Sequence, residues 1–120
     1  MKVLIVEDDP ILVRIYTVRL KKEGFDTEVV TDGEQALESV KKQRPNVILL
    51  DLVMPKMDGF SFIAAMQKEE IDVPPIIVLS NLDQSADMHK AEEMGVKEYV
   101  VKGKANLEEI AEKIKKYAAE

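Results

Sequence analysis

Residues 46–59 constrain the fold more than any other stretch of this 120-residue chain. Val47 to Leu50 form an apolar run without alternation, which is typical of a parallel strand buried on both faces, and the run ends at Asp51. Pro55 cannot donate a hydrogen bond to a sheet, and Asp58 followed by a glycine favours a turn that starts a helix. The stretch therefore predicts that Asp51 is held on a stiff loop beyond the carboxyl end of a strand.

The rest of the chain alternates between short apolar runs and helical patterns. The other predicted strands cover residues 2–6, 26–30, 76–80 and 98–101. The predicted helices run from Pro10 to Gly24, from Gly33 to before Pro45, from the Asp58 cap to about Glu70, from a cap at Asp83 to Met94 and Gly95, and onward from Leu107. This alternation predicts an α/β fold with a five-stranded parallel, doubly wound sheet of the flavodoxin-like type, strand order 2-1-3-4-5, and five helices.

Length and composition limit the class of protein. The length fits one domain, which we expect to span residues 1–120. Because 17 Lys and Arg stand against 23 Asp and Glu, the net charge of −6 repels a phosphate backbone, and we expect no direct nucleic-acid binding. Cysteine is absent, which excludes disulfides and thiolate metal sites. No apolar run suits a signal peptide or a membrane span, so we expect a cytoplasmic protein.

Polar side chains stand at the carboxyl ends of four predicted strands. They are Glu7 and Asp8 after the first strand, Asp51 after the third, Ser80 at the end of the fourth and Lys102 after the fifth. The predicted strand order makes the first and third strands neighbours, so three carboxylates should meet where functional groups collect in such sheets. A hard divalent cation such as Mg²⁺ is the natural remedy for their repulsion. With a lysine and a hydroxyl added, the site suits a phosphoryl group held beside Asp51 as the nucleophile.

Over essentially its whole length, the chain resembles the receiver domains of bacterial response regulators, which act in two-component signalling. The matching residues are Val3, Leu4, Ile5, Val6, Glu7, Asp8 and Asp9, then Asp51, Met54, Pro55, Asp58 and Gly59, then Ser80, Tyr99 and Lys102. The resemblance implies a phosphoacceptor rather than an enzyme. Asp51 would take a phosphoryl group from a histidine kinase or phosphotransfer protein, in a Mg²⁺-dependent reaction. The resemblance leaves the downstream effector unspecified and is compatible with a phosphorylation-dependent dimer.

The same resemblance implies how the metal is held. Asp8, Asp51 and the backbone carbonyl of Val53 would be its ligands, and Glu7 would act through water. All of these donors are oxygen atoms, which is the ligand type that Mg²⁺ prefers.

The resemblance also implies how the phosphoryl group is held, sensed and lost. Ser80 and Lys102 would hold its oxygens, and Tyr99 would turn inward with Ser80 to switch the surface of helix four, strand five and helix five. In receivers, the residues two beyond the phosphoacceptor and two beyond the Ser or Thr flank the approach of water. Here they are Val53 and Leu82, which are apolar and exclude water, so we expect a long-lived phosphoform.

Two positions depart from the family pattern. Gly103 follows Lys102 where the family commonly has proline, so we expect no cis peptide bond there and a looser loop. Asn81 follows Ser80 where a small residue is common. Both departures concern loop geometry and access of phosphate, and leave the chemistry of the site unchanged.

Three other classes of protein are alternatives to a phosphoaccepting receiver. A pseudo-receiver would share the fold and serve only as a protein interaction module. An aspartate-nucleophile phosphatase of the haloacid dehalogenase type would need a second acid two residues after the nucleophile, where this chain has Val53. A flavodoxin-like cofactor binder would need a phosphate-cradling loop after the first strand, where Glu7, Asp8 and Asp9 carry the wrong charge.

Overall fold

The computed structural model describes residues 1–82 and 84–119, in which strands and helices alternate. The strands are β1 (Lys2–Val6), β2 (Asp26–Val30), β3 (Val47–Leu50), β4 (Ile76–Ser80) and β5 (Glu98–Val101). The helices are α1 (Pro10–Lys22), α2 (Gly33–Lys42), α3 (Gly59–Lys68), α4 (Ser85–Glu93) and α5 (Leu107–Ala118). The predicted order of elements is confirmed. Of the helices described, none has the length and apolar character that a membrane crossing needs.

The strands are parallel and lie in the order β2-β1-β3-β4-β5, which confirms the predicted doubly wound sheet. Helices cover both faces, with α1 next to α5 and α2 next to α3. Successive strand residues point to opposite faces and therefore enter different cores. Val3 and Ile5 pack in the core with α1 and α5, whereas Leu4 and Val6 pack in the core with α2 and α3.

Side-chain caps explain where several helices begin. Asp9 precedes α1 and accepts hydrogen bonds from two backbone N–H groups of its first turn, which confirms the predicted cap. The same role falls to Asp32 at α2, Asp58 at α3 and Asn106 at α5. Helix α4 begins at Ser85, and the cap predicted at Asp83 lies outside the described residues.

The sheet fixes the position of the chain just beyond its strands. Val6 and Leu50, the last residues of β1 and β3, lie opposite each other. The Asp51 N–H donates to the Val6 carbonyl at 3.0 Å, and the Lys102 N–H donates to the Ser80 carbonyl at 2.8 Å. The residues that follow these strands are therefore held by the backbone before any side chain contributes.

Candidate functional site

Three carboxylates meet beyond the carboxyl ends of β1 and β3. Glu7, Asp8 and Asp51 each offer an oxygen, and these oxygens all lie within 4.8 Å of one another. Glu7 and Asp51 are buried, whereas Asp8 is exposed. The convergence predicted from the strand ends is therefore present, and the cluster opens to solvent on the side of Asp8.

The ammonium group of Lys102 lies between two of these acids. Its Nζ is 2.8 Å from Glu7 Oε1 and 3.2 Å from Asp51 Oδ2, and its side chain is 13% exposed. The other Glu7 oxygen, Oε2, accepts hydrogen bonds from the N–H groups of Asp8 and Asp9 at 3.0 and 3.1 Å. Lys102 and the turn after β1 therefore compensate charges that would be costly to bury alone.

Burial and charge together shift the protonation of this group of residues. Burial raises the pKa of Glu7, while Lys102 and the Asp9 N–H partly offset the rise and the Asp51 carboxylate adds to it. Burial by itself would lower the pKa of Lys102, but the two carboxylates outweigh burial and raise it. Lys102 therefore keeps its proton near neutral pH and places a permanent cation beside Asp51.

Tyr16 of α1 is buried close enough to the cluster to respond to its charges. Burial raises the pKa of Tyr16 to about 12; the carboxylates of Glu7 and Asp51 add to the rise and Lys102 opposes it. The periodicity of α1 indicates that this side chain points inward. Nothing in the sequence indicates which charged groups it faces, so sequence reasoning missed this neighbour of the site.

Ser80 and Tyr99 both bond to the loop between β4 and α4. Ser80 is fully buried, and its Oγ accepts a hydrogen bond from the Leu82 N–H at 3.2 Å. The Tyr99 hydroxyl donates to the Leu82 carbonyl at 2.7 Å, and its half-buried ring packs against the core with α2 and α3. Ser80, which is predicted to hold phosphate, and Tyr99, which is predicted to switch, thus both bond to Leu82, one of the two residues predicted to exclude water.

The loop after β3 orients the carboxylate of Asp51. The Val53 N–H donates to Asp51 Oδ1 at 3.2 Å, so this oxygen is restrained while Oδ2 faces Lys102. The Val53 side chain is 58% exposed and carries no polar group. It supplies no general acid two residues after Asp51, so the phosphatase alternative is not favoured.

The donor set fits Mg²⁺. Carboxylate oxygens are hard ligands, and a bound Mg²⁺ usually keeps several water molecules. Glu7 Oε1 is buried and ion-paired with Lys102, but within the described part of the chain it accepts no aligned hydrogen bond. A water ligand of the ion would satisfy this oxygen. The cluster of Glu7, Asp8 and Asp51 therefore offers the carboxylate ligands and the hydrogen-bond acceptor that a hydrated Mg²⁺ needs.

The two departures from the family pattern lie in loops beside the site. Gly103 has a φ of +85°, a left-handed conformation that glycine adopts without strain. Its peptide bonds are trans, as are all others among the described residues, in agreement with the expectation for a chain without proline here. Asn81 directly follows β4 and is exposed.

The start of α2 contacts the loop after β3, and the turn and helix predicted here do not indicate this contact. Asp32 is buried, and its carboxylate accepts from the Gln35 N–H at 2.8 Å and lies 3.8 Å from Lys56 Nζ. The Gly33 N–H donates to the Met57 carbonyl at 3.0 Å. An Asp-Gly pair favours a turn in any chain, so the fold is needed to reveal what this turn touches.

The fold and the site together define a receiver domain. The chain matches the response regulator receiver domain family over residues 3–115. It therefore belongs to this family, as the resemblance of its motifs predicted, and it is the receiver domain of a two-component response regulator.

Two proteins with sequences similar to this chain are longer than it. The chain is 40% identical over 101 residues to a probable transcriptional regulator, ycf27, of Porphyridium aerugineum, with 84% of this chain and 41% of the relative covered. It is 38% identical over 101 residues to the DNA-binding response regulator MtrA of Mycolicibacterium smegmatis, with 84% and 43% covered. The chain thus spans about two fifths of the length of these relatives.

Solved structures of receiver domains superpose closely on this fold. The receiver domain of the Francisella response regulator 1452 matches with a TM-score of 0.90 at 28% identity, covering 98% of this chain and 96% of that one. The receiver domain of the sensor histidine kinase PA1611 from Pseudomonas aeruginosa matches with a TM-score of 0.86 at 25% identity, covering 99% and 98%. The latter structure has a magnesium ion coordinated in its active site cleft.

The names of the two longer relatives, ycf27 and MtrA, bear on the expectation that the chain binds no nucleic acid. One is named as a DNA-binding response regulator and the other as a probable transcriptional regulator, so they lend that expectation no support. Both names describe longer proteins. For the chain itself, the net charge of −6 is the argument against direct contact with nucleic acid. The absence of such binding stays a prediction.

Proposed function

We propose that the chain is a phosphoacceptor switch in which Asp51 takes a phosphoryl group from a histidine kinase or phosphotransfer protein. One observation carries the proposal: Lys102 Nζ lies 2.8 Å from Glu7 Oε1 and 3.2 Å from Asp51 Oδ2, within the cluster of three carboxylates. The acids alone would repel a phosphoryl anion, and a fixed cation beside Asp51 offsets that repulsion.

The two cores that share one sheet support a single domain over residues 1–120.

In the proposed reaction, a carboxylate oxygen of Asp51 attacks the phosphorus of a phosphohistidine. A phosphorus–oxygen bond forms, the phosphorus–nitrogen bond breaks, and its electron pair goes to the imidazole, which leaves with a proton from solvent. Lys102 pairs with the oxygens of the transferred group. Ser80 Oγ accepts its present hydrogen bond from Leu82, so its own proton is available to donate to a phosphoryl oxygen.

The metal ligands that we assign are Asp8, Asp51 and the Val53 carbonyl, with Glu7 acting through water. Their support is the clustering of the acids and the buried Glu7 Oε1, which is ion-paired with Lys102 but has no aligned donor among the described residues. A bound Mg²⁺ would supply charge stabilisation to the transferred phosphoryl group. Val53 joins this set through the family resemblance and through its position on the loop that orients Asp51.

The proposed output is a change of the surface formed by α4, β5 and α5. Ser80 is drawn to the phosphoryl group, and the loop after β4 moves with it, because Ser80 and Tyr99 both bond to Leu82 of that loop. Helix α4 suits a mobile element, because Ala91 is its one buried residue among those described. The hydrogen bond from Tyr99 to Leu82 then connects the phosphorylation site to β5.

The donor protein is proposed to dock on the outer face of α1. Ile11, Ile15 and Val18 follow one another at helical spacing and are 70%, 42% and 61% exposed, and α1 begins two residues after Asp8. A protein that carries a phosphohistidine to Asp51 can reach this face, because α1 begins beside the site, and burying apolar side chains stabilises the encounter. Ile15→Ser should therefore slow transfer from a histidine kinase but leave phosphorylation by phosphoramidate, a small donor, unchanged. Equal slowing with both donors would contradict this docking face.

The experiment that tests the proposed function follows intact mass and oligomeric state after addition of phosphoramidate. With Mg²⁺ present, we expect one phosphoryl group per chain, and with EDTA none. A pseudo-receiver would gain no mass in either buffer. A shift to dimer that requires both donor and Mg²⁺ would identify dimerisation as the output, whereas an unchanged monomer would place the output in contact with another protein.

A further inference from the structure

We infer that the start of α2 positions the loop that carries the proposed metal ligand Val53, with Gly33 as the positioning residue. The inference rests on the proposed function and extends it to a helix outside the site. The loop comprises residues 52–58, between β3 and α3, and is called the acceptor loop below.

The contact between α2 and the acceptor loop leaves no room for a side chain. The Gly33 N–H donates to the Met57 carbonyl at 3.0 Å, and a Cβ on Gly33 would lie only 2.3 Å from that oxygen. Gly33 is not among the glycines with positive φ, so its backbone conformation suits any residue. Glycine is therefore required for closeness to Met57, and the contact is with a backbone atom that no change of rotamer removes.

The acceptor loop is the softer side of this contact. On the side of α2, Asp32 is buried and caps the helix, and Ala36 is fully buried in the core. On the side of the loop, Val53 is largely exposed and Lys56 has a φ of +64°, which is unfavourable for a residue with a side chain. Added volume at Gly33 should therefore displace the loop rather than the helix.

The displacement should concentrate on residues 53–57. At the far end of the acceptor loop, the Gly59 N–H donates to the Leu52 carbonyl at 3.0 Å, and a Cβ on Gly59 would lie 2.8 Å from Leu52 Cα. The end of the acceptor loop is therefore packed tightly against Leu52, its first residue. Val53 is one of the residues 53–57; its N–H donates to Asp51 Oδ1, and its carbonyl is the proposed ligand.

The test compares Gly33→Ala with Gly24→Ala. Gly24 follows α1, has a φ of +93° and has nothing within 4 Å of an added Cβ, so its alanine variant strains the backbone without contacting another group. We expect Gly33→Ala to weaken Mg²⁺ binding by calorimetry about tenfold, the scale of a lost supporting contact at a metal site. The amide signals of residues 53–57 should shift in Gly33→Ala, whereas Gly24→Ala should bind Mg²⁺ as the parent does.

Unchanged Mg²⁺ affinity in a folded Gly33→Ala protein would overturn the inference, as would a parent chain that binds no Mg²⁺. If Gly33→Ala does not fold, hydrogen exchange in the parent decides. Because coupling is reciprocal, Mg²⁺ should slow exchange of the Gly33 amide, and equal exchange with and without Mg²⁺ would refute the positioning role. Phosphorylation of the parent is measured separately, because it tests the proposed function and not the positioning role. If Gly33→Ala binds Mg²⁺ more weakly but the parent accepts no phosphoryl group, the positioning role is supported and the proposed function is contradicted.

Discussion

The Tyr99 hydroxyl donates a hydrogen bond to the Leu82 carbonyl at 2.7 Å. Leu82 in turn donates its N–H to Ser80 Oγ at 3.2 Å. A hydroxyl at the end of β4 and an aromatic side chain of β5 are therefore joined through the backbone of a single residue. Any movement of Ser80 toward a phosphoryl group must break or carry along this pair of bonds.

Tyr99→Phe should weaken the coupling between Asp51 and the surface of α4, β5 and α5. The half-buried Leu82 carbonyl loses its donor, so we also expect the free energy of unfolding to fall by about 1 kcal/mol. The measurement is the response of amide signals in residues 81–105 to a phosphate mimic with Mg²⁺, which should shrink in the variant. Tyr117→Phe is the matched control, because it removes a 3.0 Å hydrogen bond to Glu98 on the other side of β5. An equal response in the parent and Tyr99→Phe would contradict this coupling.

The sequence predicted the site where it depends on topology. Asp51 and Lys102 are 51 positions apart, yet their side chains bond at 3.2 Å. Asp51 follows an unalternating apolar run and Lys102 follows the fifth predicted strand, and parallel strands end at the same edge of the sheet. The positions of the strand ends in the sequence were therefore enough to predict that Glu7, Asp51 and Lys102 lie together.

The sequence did not predict contacts that depend on the path of the loops. The hydrogen bond from Gly33 to Met57 joins an ordinary helix start to a loop whose only local signals are proline and Asp-Gly. Glu7 is 2% exposed, although acidic residues next to a turn are usually solvated. Tertiary packing decides both cases, and a single sequence carries no periodic signal for either.

Val53→Asn and Leu82→Glu should each shorten the lifetime of the phosphoform. The parent presents an apolar side chain at both positions, and a group that orients or activates water contributes typically about 10²- to 10⁴-fold when it acts as a general base. We expect at least the low end of that range for one of the two variants. The measurement is loss of phosphate after the donor is removed.

Val18→Asn is the control for these lifetime variants. Val18 is 61% exposed on α1 and Val53 is 58% exposed, so the same substitution is made at similar exposure away from the water path. Polar variants that decay no faster than Val18→Asn would mean that apolar shielding does not set the lifetime.

Stability in alkaline solution should depend on Tyr16. Its pKa is raised from 10.0 to about 12 in the folded chain, because burial disfavours the phenolate. The unfolded chain therefore loses this proton first, so the contribution of Tyr16 to stability is complete below pH 10.0 and is lost as the pH rises to about 12. Urea unfolding across this range should show a loss in the parent of about 2 kcal/mol more than in Tyr16→Phe, which keeps the ring. Parallel losses in the two proteins would be inconsistent with a buried, neutral Tyr16.

The central claim is that Asp51 accepts the phosphoryl group, and the most direct measurement is the intact mass of three proteins after incubation with phosphoramidate and Mg²⁺. The proteins are the parent, Asp51→Asn and Asp58→Asn. Asp58 is an exposed acid of the same loop that caps α3 by accepting from the Ser61 N–H at 2.8 Å, and asparagine preserves such a cap. We predict one phosphoryl group on the parent and on Asp58→Asn, and none on Asp51→Asn. Stoichiometric phosphate on Asp51→Asn would contradict the account.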